Sequence, residues 1–196
     1  MIILVKKQVV ILTPPHTASR YLRETLCTQE YDGFFCVGPW AIDHKLDHHS
    51  MVIPHEFRDW PTYLIIRNPF TRLIGLWHHY ADSGHYDNDK YASNPPGDLP
   101  WNQFVYHVIR DNAHSLIPFY RWTLTRLIEP VRAIENLIRF ENLQQEMKRI
   151  LDINIEDRPK IYNLPDYYYN QEIINQIASW AQPDCLRFGY SSNPFT

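Results

Sequence analysis

The sequence predicts an α/β fold, with a parallel central sheet covered by helices on both faces. Three observations carry this. Short apolar runs, VVIL (9–12), GFFCVG (33–38), TYLIIRNPF (62–70) and NLIRF (136–140), alternate with segments of helical periodicity. Strands joined by crossover helices give that alternation, and they bury both faces of a parallel sheet. Two of the runs stop at sharp proline-bearing loops, Thr13-Pro14-Pro15 and Asn68-Pro69, and a helical pattern follows each at once. Finally, 196 residues with 44% hydrophobic and 21% charged side chains suit one folded domain over 1–196 rather than a disordered chain.

The elements follow in order. MIILVKKQVVIL reads as the first core strand, since Lys6-Lys7 interrupts it and leaves it too short for a membrane span. After the loop 13–20, Ala18, Leu22 and Leu26 share one face of a helix. GFFCVG is a short buried strand, and a His-rich connection, DHKLDHHS (43–50), leaves it. TYLIIRNPF is the next strand. Pro69 fits the first helical position, where its missing N–H costs nothing. The helix over 70–81 has Leu73, Leu76, Trp77 and Tyr80 on one face. Residues 82–100 form a long loop of turn-forming residues, a kind that is usually functional. WNQFVYHVIR (101–110) is helical by period, NLIRF is a strand, and Leu143, Met147, Ile150 and Leu151 mark another helix. Ile173, Ile174, Ile177 and Ala181 mark the last, over 169–181.

Composition narrows the function. A net charge of −3, with ten His counted neutral, gives no basic excess for nucleic acid. Three cysteines, Cys27, Cys36 and Cys185, are odd in number and far apart, which fits neither a disulfide framework nor a zinc pattern. A reducing, cytoplasmic compartment is the expectation. His44 and His48 lie four apart beside Asp43 and Asp47, but no established metal spacing is present, so no metal is expected.

The two sharp loops lie at carboxyl ends of strands, where open α/β sheets bind ligands. The first turn of a helix offers unpaired N–H groups and partial positive charge to an anion. In PPHTASRYL, Thr17 and Ser19 add hydroxyls, and His16 and Arg20 add cationic donors, around Ala18. A nucleotide loop of the GxxxxGK type is excluded, because the stretch has neither Gly nor Lys. A plain helix cap by Ser19 or Thr17 is the alternative. The second loop, IIRNPFTR, puts Arg67 at a strand end and Arg72 in the next helix. Two such anion sites suit a ligand with two separated phosphates.

Here the chain resembles a known family. PPHTASRYL is similar to the 5′-phosphosulfate loop of sulfotransferases that use 3′-phosphoadenosine 5′-phosphosulfate (PAPS). RNPFTRLIGLW is similar to their 3′-phosphate motif, IRFENL to their strand-to-helix junction, and YYYNQEIINQIASWAQPDCLRFGY to their closing helix and DxxxFGY ending. The four stretches keep the family's order over nearly the whole chain, and the resemblance is strongest to the carbohydrate type, such as heparan-sulfate 2-O-sulfotransferases. Two positions depart: His16 stands where the family has Lys, and Gly75 where it has Ser.

The resemblance implies a three-layer, P-loop-nucleotide-hydrolase-like domain that moves a sulfuryl group from PAPS to a hydroxyl, most readily of a carbohydrate. The product is adenosine 3′,5′-bisphosphate (PAP). Residues 16–20 would meet the leaving 5′-phosphate, with Arg67 and Arg72 on the 3′-phosphate. His49, then His48, is the candidate base, because family members place acceptor-site residues in that segment. Surface His is the plain reading of either. Trp101, Trp122 and Tyr167-Tyr168-Tyr169 suit stacking on sugar or adenine, but packing explains such residues as well. Glu141 reads as a brace between the loops. Two rivals stand beside the enzyme: a non-catalytic module holding PAP or an anionic sugar, and a phosphoryl-transfer enzyme on the same fold.

Overall fold

The computed structural model describes residues 1–27, 32–35, 51–82, 100–110, 123–128, 134, 136–155 and 170–193. The protein is mixed α/β. Its chain divides into two units, Met1–Arg67 with Leu127–Lys160, and Asn68–Arg126 with Ile161–Thr196.

The first unit holds a five-stranded sheet. Its strands are β1 (Ile2–Leu4), β2 (Val9–Leu12), β3 (Gly33–Phe35), β4 (Thr62–Ile66) and β5 (Asn136–Arg139), in the order β3-β1-β2-β4-β5. β2, β4 and β5 run parallel, with Leu12 opposite Leu64 and Ile66 opposite Arg139. The sheet is not parallel throughout, because β1 is antiparallel to both β2 and β3. The opening stretch is therefore a hairpin and not the single strand expected. Val5, Lys6, Lys7 and Gln8 are exposed between its arms, Gln8 N donates to Val5 O at 3.1 Å, and Gln8 turns left-handed at φ 52°. Lys6-Lys7 resists burial, so the chain folds back there, and so short a connection joins only antiparallel strands.

One face of the sheet presents Ile2, Leu4, Val9, Ile11, Ile65 and Ile138. Helix α1 (Ser19–Leu26) covers it with Leu22 and Leu26, and a second helix, Leu143–Leu151, covers it with Leu143, Met147 and Leu151. Ile3, Val10, Leu12, Leu64 and Ile66, on the opposite face, are buried too. This two-sided burial explains why the strands read as continuous apolar runs rather than alternating ones.

The described residues of the second unit are mainly helical. It contains α2 (Pro69–Asp82), α3 (Trp101–Arg110) and the short α4 (Leu124–Leu127), whose last residue falls in the first unit; the helix Leu143–Leu151 is α5, and α6 (Gln171–Phe188) closes the second unit. Phe70, Leu73, Ile74, Trp101, Phe104, Val105, Ile173 and Ile177 form its core. Asn68 caps α2, its Oδ1 accepting from Phe70 N at 2.9 Å, and Pro69 follows at the first helical position as expected. The last helix continues past the expected end at 181 to Phe188 and carries Pro183 inside it. No helix among the described residues is long and apolar enough to cross a membrane.

Candidate anion site at the end of β2

β2 delivers Thr13, Pro14 and Pro15 to the carboxyl end of the parallel strands, and α1 starts at Ser19. The three residues between make a strained turn. His16 lies at φ 61° and Ala18 at φ 69°, both left-handed, and Thr17 between them does not. A left-handed non-glycine residue costs about 1–2 kcal/mol, and such outliers persist where the surroundings enforce them, commonly at functional sites. Alternating handedness is also what turns consecutive N–H groups toward one point and makes an anion-binding concavity. Ala18 is the N-cap of α1, and no side chain caps the helix. Its first turn carries the positive end of the helix dipole, and no side-chain cap occupies it. The plain capping role open to Ser19 or Thr17 is thus not the one used.

Each expected residue has a definite place. Thr17 is fully buried and braces the loop from inside, its Oγ1 donating to Pro14 O at 2.7 Å and its N–H to the same oxygen at 3.3 Å. Its hydroxyl is committed to the loop. Ser19 is buried at the first turn, Ala18 and His16 are half-buried, and Arg20 is exposed. Arg67 leaves the end of β4 and is 4% exposed. Its Nη1 donates to the His16 carbonyl at 3.0 Å, and its guanidinium lies 4.1 Å from the centre of the Phe140 ring. A charged donor is worth about 1.5–3 kcal/mol and a desolvated cation–ring contact about 2 kcal/mol. That is the size needed to hold two left-handed residues.

Phe140 was not legible as a site residue from its own neighbourhood. The strand register is the signal that finds it: Ile65 opposite Ile138 and Ile66 opposite Arg139 bring position 140 beside position 67. The contact from this strand end is made by Phe140, and Glu141, the expected brace, sits half-buried in the 3₁₀ turn Phe140–Asn142.

Arg72 belongs to the second unit and is 2% exposed. Burial pushes its guanidinium down to about 10, and the Asp184 carboxylate pulls the other way. It remains charged near neutral pH, buried with its counter-ion. Trp101 is a core residue, edge-on to Trp77 at 5.8 Å and stacked on Phe104 at 6.0 Å. His48, His49, Trp122 and Tyr167–Tyr169 lie outside the described residues. The strand before the His-rich segment is informative all the same. Phe35 pairs with Ile2, and Ile2 with Ile11, so β3 leaves the sheet at the end where β2 leaves it.

No protein-family model, no curated protein and no solved structure matches the chain.

Proposed function

We propose that the protein is a PAPS-dependent sulfotransferase of the P-loop-like, three-layer kind, acting on a hydroxyl of a carbohydrate. The observation that supports it best is the strained loop after β2. His16 and Ala18 hold left-handed conformations directly before a helix with no side-chain cap. A loop strained without glycine, in the stretch similar to the family's 5′-phosphosulfate motif, is suited to holding an anion.

In this reading the acceptor oxygen attacks sulfur in line. The bond from sulfur to the bridging oxygen of the 5′-phosphate breaks, and PAP departs with the added charge. Catalysis of such a transfer is chiefly positioning and charge stabilisation. The N–H groups of residues 18–20, the Ser19 hydroxyl and the Arg20 side chain meet that charge, and His16 joins them when protonated. His49, failing that His48, takes the proton of the acceptor. The exit of β3 at the loop's end of the sheet favours that segment.

One observation favours a second reading. His16 occupies the place where a lysine would neutralise the leaving group, so a module that holds PAP or an anionic sugar without turnover is the alternative. A phosphoryl-transfer enzyme fits less well, for want of a loop lysine. The test is thermal shift followed by turnover. PAP alone should raise the melting temperature, by an increment matching about 2.7 kcal/mol at a hundredfold excess over Kd, and ATP with magnesium should not. PAPS with a library of sugar acceptors should then release PAP and yield a sulfated product by mass spectrometry. Stabilisation by PAP without product assigns the binding module. Stabilisation only by ATP with magnesium assigns the kinase.

A further inference from the structure

Arg67 was expected to ligate a phosphate, but its surroundings give it another task. The peptide between His16 and Thr17 is gripped at both polar ends. Its carbonyl accepts from Arg67 Nη1 at 3.0 Å, and its N–H donates to Pro14 O at 3.3 Å. A trans peptide is a rigid plane, so holding both ends fixes its orientation. That plane sets φ of Thr17 and the direction of the N–H groups that follow. The guanidinium is itself seated over the Phe140 ring, 4.1 Å from its centre. Arg67 thus ties together the ends of all three parallel strands: β2 through the loop, β4 through its own backbone, and β5 through Phe140. With 4% of its surface exposed and Nη1 on the His16 carbonyl, Arg67 is turned into the loop rather than toward solvent.

We propose that Arg67 is a positioning residue, which locks the His16–Ala18 turn in its left-handed form so that residues 18–20 receive the donor's 5′-phosphate, and does not ligate the 3′-phosphate. This rests on the sulfotransferase reading for the identity of the anion, and on the structure alone for the locking.

Calorimetry with two probes separates the roles. PAP carries both phosphates, and adenosine 5′-monophosphate lacks the 3′-phosphate. In Arg67→Ala the affinity for both should fall by the same factor, tenfold or more, matched within twofold. A loss confined to PAP would make Arg67 a 3′-phosphate ligand and overturn the proposal. A second arm places Arg67→Ala in a His16→Gly background, where position 16, whose carbonyl Arg67 holds, takes its left-handed φ without enforcement and Ala18 alone stays strained. The penalty for losing Arg67 should shrink to threefold or less, and an undiminished penalty overturns the proposal. Arg67→Lys, which keeps the charge but not the planar fork, serves if the alanine variant does not fold. It should show the same equal loss on both probes. If the wild-type protein binds neither probe, the sulfotransferase reading fails. The locking is then read from urea midpoints of the same four proteins: coupling between positions 16 and 67 supports it, and additivity overturns it.

Discussion

Asp184 accepts the backbone N–H of Leu124 at 2.8 Å, so the last helix of the chain caps the start of α4. Its other oxygen takes the next N–H, Thr125 N, at 2.7 Å. The carboxylate is fully buried and is also the counter-charge of buried Arg72. One side chain thus closes a helix terminus and compensates a guanidinium. Asp184→Ala should cost about 3–5 kcal/mol in urea unfolding, because it strands a buried cation and two donors. Asp184→Asn keeps an acceptor but loses the charge, and should cost about half as much. A loss under about 1 kcal/mol for the alanine variant would show that Arg72 finds compensation elsewhere.

A side chain at Gly33 has no room. A Cβ there would stand 2.1 Å from Leu26 O and 2.9 Å from Leu4 Cδ2. The first obstacle is backbone at the end of α1, which cannot rotate away. Gly33→Ala should therefore push β3 from α1 and destabilise the first unit by about 1–3 kcal/mol or more. Denaturant midpoints check this, and a neutral result would mean that β3 shifts without loss.

Ala18 tests the strain in the anion loop. At φ 69° and ψ 20° it sits where glycine is at ease. Ala18→Gly should raise stability by about 0.5–1 kcal/mol, the relief at φ > 0 exceeding the added freedom of the unfolded chain. Ala18→Val should lower it, because a β-branched residue tolerates this region worst. The reverse order of midpoints would remove strain as a property of the loop.

How far the sequence could be read depended on whether a signal was local. Pro69 announced the start of α2, and the spacing of Leu143, Met147 and Leu151 announced α5, because a cap or a period is written in consecutive residues. The hairpin at Lys6-Lys7 was hidden because its two arms are both apolar, and only the pair of lysines marked the fold-back. The continuation of α6 past Pro183 was hidden for a different reason. A proline argues for a stop, and what holds the helix beyond it is tertiary: Asp184 is anchored on α4 and Phe188 is buried. At the loop, the motif gave residues 16–20 as a group but not their division of labour. That Thr17 turns inward and Arg67 grips a carbonyl follows from strand register and handedness, which no short motif encodes.

The cysteines give a pH-dependent readout. Burial is the main influence on Cys27 and pushes its thiol pKa up, with Arg23 pulling back more weakly. Burial raises Cys185 as well, helped by Asp184. The folded thiols thus hold their protons to higher pH than the unfolded ones. Their contribution to stability is complete below the unfolded thiol range, near about 8.5, and is lost as pH rises through the folded values. Cys27→Ser should flatten the fall of stability above the unfolded thiol range. At pH 8 both thiols should react with iodoacetamide more slowly than an unstructured peptide thiol, measured by peptide-resolved mass spectrometry. Faster reaction at either would show that its burial is not maintained in solution.

His16 decides between turnover and mere binding. Its backbone is left-handed and its carbonyl is held by Arg67, so its side chain leaves the loop from a fixed base. Histidine takes this φ more readily than lysine, so His16→Lys should keep the fold at a small cost in stability. What changes is the charge. An ordinary imidazole is mostly neutral at pH 8, whereas an ammonium is not. If the side chain steadies the departing phosphate as a cation, His16→Lys should match or exceed the wild-type rate of PAP release at pH 8. His16→Ala should lose about tenfold or more, a lost charge-stabilising donor being worth up to about 10³-fold. Substrate-saturated rates are the quantity to compare, because an interaction made mainly in the transition state lowers kcat rather than donor affinity. Three equal rates would move the charge to Arg20 and the backbone N–H groups. Changes in PAP affinity across the three proteins with no turnover in any of them would make this loop the floor of a binding module.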